Sequence, residues 1–89
     1  MQHSAHRRNP RVVWRVLPGM VLAQMLDAEP GGGASELSGV AAQVWVVLDE
    51  PMDETDIAVA LELAEVPQGL QFVGDALAQL REAGLVFRC

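Results

Sequence analysis

The stretch "GVAAQVWVVLDEPMDETDI", residues 39–57, constrains the fold more than any other part of the chain. Its centre, "VWVV", is a run of β-branched and aromatic residues, and propensity alone favours a strand there. The spacing argues for a helix. Apolar residues at 40, 41, 44, 45 and 48 follow the i, i+1, i+4, i+5, i+8 pattern of one helix face. Ala41, Ala42 and Gln43 are good helix formers. Ser38 stands where a cap accepts a backbone N–H. The run continues to Asp49-Glu50-Pro51, which suits a helix better than a strand. Trp45 is therefore read as a core anchor, and the surplus valines at 46 and 47 predict a helix covered on more than one side.

Around this helix the chain divides by period. In "VVWRVL" (12–17), Val12, Trp14 and Val16 alternate with Val13, Arg15 and Leu17, which is strand periodicity. Pro18-Gly19 is a turn dipeptide, and "MVLAQML" (20–26) completes a hairpin. "DAEPGGG" (27–33) is too rich in Gly and Pro for regular structure and reads as a loop. "ASEL" (34–37) is short and predicts an edge strand. A second helix is expected within 52–66, capped by Asp53, with Glu54 and Asp56 at the positive end of its dipole. Its stripe is Ile57, Ala60, Leu61 and Ala64, and Pro67-Gln68-Gly69 ends it. A third helix within 70–88 turns Val73, Ala76, Leu77 and Leu80 inward. Gly84 sits at a left-handed C-terminal cap, with Leu85 folding back on Leu80. "LVFR" can close as a short strand. A short antiparallel sheet followed by three helices makes an α+β domain of winged-helix type.

With 89 residues, one domain is expected, spanning 10–89 behind a basic flexible arm at 1–9. Residues 1–15 carry Arg7, Arg8, Arg11 and Arg15 and no acid, whereas the remainder holds two arginines and all twelve acids. There is no lysine. So acidic a body lacks the basic stripe of a phosphate-binding surface, and the arm reads as a solvated tail rather than a nucleic-acid contact. No apolar run approaches the ~18 residues of a membrane span, no signal-type segment follows the basic start, and a cytoplasmic address is expected. Cys89 is the only cysteine, which excludes an internal disulfide and a cysteine metal cluster.

The search for chemistry is largely negative. His3 and His6 lie in the arm without further ligands, so no metal is expected. Ser4, Ser35 and Ser38 lack the histidine and aspartate context of a triad. "PGGGAS" is not followed by the Gly-Lys-Ser/Thr of a phosphate loop. The carboxylates at 49, 50, 53, 54 and 56 surround a helix start, where acids belong for structural reasons, and lack the alternating ligands and central glycine of a calcium loop. No catalytic residue and no cofactor are expected, and an enzyme acting alone is disfavoured.

Three features taken together carry a resemblance. They are a "WR.L...VL" pattern in the first two strands, "ELSGVAAQVWVVLDEPMDETDIAVALELAEV", and "VGDALAQLREAGLV". Over residues 10–88 the chain resembles the PqqD-like peptide chaperones, the recognition elements for ribosomally made, post-translationally modified peptides. It departs from the usual aromatic-Leu-Asn close of the third strand, having Ser-Glu-Leu-Ser there, and its Gly-rich loop is long. The resemblance implies a non-catalytic protein that binds the leader segment of a precursor peptide and presents it to a modifying enzyme, such as a radical enzyme, a cyclase or a protease. A short edge strand fits this, since its free backbone groups can accept an added strand. Carried over from the family, Ala34, Ser35, Glu36 and Leu37 would pair with the peptide, and Phe72, Val73, Asp75, Ala76, Gln79 and Leu80 would line the groove. Val73 and Leu80 serve equally well as plain core residues, whereas Phe72 lies off the main stripe. The alternatives are a winged-helix nucleic-acid binder and an assembly subunit of a larger enzyme. No nucleic acid and no membrane are expected as partners, and a homodimer stays open.

Overall fold

The computed structural model describes residues 5–26 and 34–88. Its elements are β1 (His6–Arg8), β2 (Val12–Leu17), β3 (Met20–Met25), β4 (Ser35–Leu37), α1 (Gly39–Val47), α2 (Glu54–Ala60), α3 (Gly69–Glu82) and β5 (Val86–Arg88). The molecule is an α+β domain with two antiparallel sheets, β2–β3–β4 and β1–β5. The loop expected at 27–33 lies outside the described residues, as does His3.

The hairpin turns at Pro18-Gly19, where Gly19 takes φ 77°. A type II turn requires the positive φ that glycine supplies at its third position and favours proline at its second. The ladder pairs Val12 with Met25 through Leu17 with Met20, and Val21, Leu22 and Ala23 with Leu37, Glu36 and Ser35. Val12, Val21, Ala23 and Leu37 share the face that packs into the core.

"VWVV" is helical. Trp45 is fully buried, as are Val44 and the C-capping Leu48, and Ala41 is buried beside them in sequence. Ser38 occupies the N-cap position with extended backbone, but its side chain makes no capping bond. Of the two surplus valines, Val47 is half-buried and packs against the core, whereas Val46 is 43% exposed, so α1 is covered at one and open at the other. α2 is shorter than its sequence pattern. Asp53 caps it by accepting from the Asp56 N–H at 2.8 Å, but the helix ends at Ala60 and Glu62 turns to φ 60°. Its buried residues are Ile57 and Ala58, while Ala60 and Ala64 are exposed.

Helix α3 follows its pattern closely, with Val73, Ala76, Leu77 and Leu80 buried. It ends in a Schellman motif: the Leu85 N–H donates to the Leu80 carbonyl, the Gly84 N–H donates to the Arg81 carbonyl, and Gly84 has φ 75°. The buried side chains of α1, α2 and α3 meet those of the β2–β3–β4 sheet and of Leu85 and Val86 in one core.

The expected flexible arm is overturned for residues 6–9. β1 pairs antiparallel with β5 along His6–Arg88, Arg7–Phe87 and Arg8–Val86. On its other edge His6 exchanges backbone hydrogen bonds with Met52. The physical reason is that β5 needs a partner, and the segment before the hairpin reaches it. Asn9 is buried where the two sheets join. Its Nδ2 donates to the Gly84 carbonyl at 2.9 Å, its Oδ1 accepts from the Arg11 N–H at 2.9 Å, and its own N–H reaches the Leu85 carbonyl.

Candidate peptide-binding edge

In an antiparallel ladder, alternate residues turn their N–H and C=O groups toward opposite neighbours. The Leu26 N–H bonds the Arg11 carbonyl, and the two-residue turn closes between Leu17 and Met20. This phase makes Val13–Gln24, Arg15–Leu22 and Leu17–Met20 the hydrogen-bonded pairs of β2 with β3. Val21 and Ala23 then bond outward to Leu37 and Ser35 of β4. Glu36 is left with its N–H and C=O directed away from β3, at an edge of the sheet that pairs with no further strand among the described residues. It is the one residue within β4 whose backbone can receive an added strand.

The expected groove residues separate into two groups. Leu37, Val73, Ala76 and Leu80 are buried and belong to the core. Ala34, Glu36, Phe72, Asp75 and Gln79 are exposed, and Ser35 is half-buried. Phe72, Asp75, Ala76 and Gln79 follow i, i+3, i+4, i+7 spacing and share one flank of α3. The opposite flank faces α2: a Cβ on Gly74 would sit 3.7 Å from the Glu54 carboxylate, and Arg81 reaches His6. The Phe72 flank therefore stays open, and Phe72 itself is 42% exposed. Leu37, Val73, Ala76 and Leu80 can shape a groove only from beneath.

A second set of residues was not singled out as functional in the sequence. The Arg8 guanidinium donates from Nε to the Trp45 carbonyl at 2.8 Å and from Nη2 to the Val46 carbonyl at 2.7 Å. It also faces the rings of Trp14, at 4.5 Å, and Trp45, at 5.3 Å. The two indoles meet edge to face, with centroids 5.8 Å apart. Arg8 thus satisfies carbonyls at the C-terminal end of α1, where a cation is favoured. Burial lowers its pKa from the ordinary arginine value, and Asp49 opposes that shift.

His6 is buried, and its Nε2 lies 2.8 Å from Arg81 Nη1. A guanidinium only donates, so Nε2 accepts and the imidazole proton resides on Nδ1, which has no partner among the described residues. Burial lowers the His6 pKa, the Arg81 and Arg88 charges lower it further, and Glu54 partly offsets them. The sign that β1 existed was the closing "LVFR" strand, which required a neighbour.

Among the described residues no group of three or more His, Cys, Asp or Glu could hold a metal ion. No helix among them is long and apolar enough to cross a membrane. No family model matches the chain, nor does any curated protein or solved structure.

Proposed function

We propose that this domain is a PqqD-like peptide chaperone without catalytic activity of its own. It takes the leader segment of a ribosomal precursor peptide onto the free edge of β4 and presents it to a modifying enzyme. The observation that carries this reading is the outward-facing backbone of Glu36 on a three-residue strand at the edge of the sheet. An added strand would form an N–H···O=C pair with Glu36. The neighbours of that peptide residue would turn their side chains toward the core face, and on this reading the exposed Phe72 of α3 is among the apolar groups they meet.

Nucleic-acid binding is supported less well. Arg8 and Arg81, two of the six cations, are engaged inside the domain by carbonyls and by His6. Isothermal titration with the leader of a precursor peptide, sought among the neighbouring genes, tests the proposal. Micromolar or tighter binding is expected, on the order of −8 kcal/mol. No heat at tens of micromolar peptide would count against it.

A further inference from the structure

The opposite edge of the same sheet is the longer one. β2 has six residues, and the ladder phase that turns Glu36 outward at β4 turns Val12, Trp14 and Val16 outward here. The Val12 N–H is already bonded to the Asn9 carbonyl, so among the described residues Trp14 and Val16 carry the outward backbone donors and acceptors without a partner. Beside them lies an apolar cleft of about 340 Å³ between the hairpin and α1, lined by Val16, Val21, Ala42, Val46, Val47 and Leu61. Val16 is 59% exposed although it lies on the core face of its strand. On the other face, between Trp14 and Val16, stands Arg15, which makes no ion pair among the described residues.

We infer that the β2 edge is a second strand-addition site, whose occupant is an extended segment of a protein partner carrying an apolar–acidic–apolar triplet. Residues directly opposite one another across a ladder share a face. The residue opposite Val16 places its side chain in the cleft, the residue opposite Trp14 covers the indole, and the residue between them meets Arg15. An acid at that position is attracted, and a lysine is repelled. The same arginine argues against a second copy of this chain. The two-fold pairing that uses both Trp14 and Val16 sets Arg15 against its own symmetry mate, and like charges directly opposite are destabilising. The inference does not depend on leader binding at β4, because the two edges share no backbone group.

The probes are two blocked peptides, one centred on Thr-Val-Glu-Val-Thr and one with lysine in place of the glutamate. They are titrated into the isotopically labelled full chain while amide shifts are followed. The glutamate peptide is expected to shift the Trp14 and Val16 amides and to bind roughly fivefold more tightly than the lysine peptide. Arg15→Glu should invert that preference, and this surface variant keeps the test decisive should Val16→Pro fail to fold. A folded Val16→Pro should lose both peptides and keep any leader binding, whereas Glu36→Pro should do the reverse. Equal binding of the two peptides, shifts confined to β4, or no shift at millimolar peptide would overturn the inference. So would a concentration-dependent dimer that Val16→Pro dissolves, since the edge would then belong to a second copy.

Discussion

At Arg8 one guanidinium serves two carbonyls and two indoles, and it is the side chain through which β1 reaches α1. Arg8→Ala removes a donor from each of those carbonyls, that of Trp45 keeping only the Leu48 N–H, and uncovers the Trp14–Trp45 pair. Charged hydrogen bonds and a cation over aromatic rings together make a loss of about 2 kcal/mol the expected outcome. Arg7 lies 5.4 Å from the Phe87 ring on an exposed surface, so Arg7→Ala should cost well under about 1 kcal/mol. Urea unfolding of the two variants side by side measures the difference. Trp45, fully buried, has a larger effect: truncation to alanine should cost about 3–5 kcal/mol, read from the same midpoints.

Among the elements, β1 carries a buried histidine whose protonation opposes folding. His6 is the titrating group, and Arg81 on α3, Arg88 on β5 and Glu54 on α2 act on it. Its folded pKa lies below the ordinary value of 6.5, so the unfolded chain binds the proton more readily. The stabilisation is fully present above 6.5 and is lost as pH falls below it toward the folded pKa. Between pH 7.5 and 5.5 the unfolding free energy should decline, and His6→Gln, which cannot titrate, should flatten that decline. Gly69, at the start of α3, makes a different demand. A Cβ there would collide with the Leu63 carbonyl, which is backbone and cannot swing aside. Gly69→Ala should therefore lose about 1–3 kcal/mol in thermal unfolding.

Over the whole molecule, what could be read from the sequence was what local spacing specifies. Helix α1 was legible because Val44, Trp45 and Leu48 keep helical spacing despite their β propensity. The end of α3 was legible because Gly84 and Leu85 stand where a Schellman motif places them. β1 was not legible. "HRR" has no apolar alternation, and its stability comes from distant groups: the Met52 backbone, β5, and the two tryptophans under Arg8. The exposure of Val46 was missed for a related reason, since spacing tells which residues are apolar but not how far the neighbouring hairpin extends over them. The short strand at the candidate edge and the exposure of Phe72 on α3 could be read in advance. The outward phase of Glu36 could not, because it is set by the register of a turn two strands away.

That phase also separates two proline substitutions. The Leu37 N–H belongs to the ladder with Val21, so Leu37→Pro damages the domain itself, whereas Glu36→Pro removes only an edge donor. Amide exchange observes the same group without any substitution. In the free domain the Glu36 N–H points to solvent and should exchange rapidly, while those of Ser35 and Leu37 are held by β3. When the leader is bound by strand addition at β4, the Glu36 amide should become protected and the Trp14 and Val16 amides should be unchanged. A leader that binds the chain while Glu36 still exchanges at its free rate would contradict strand addition at this edge.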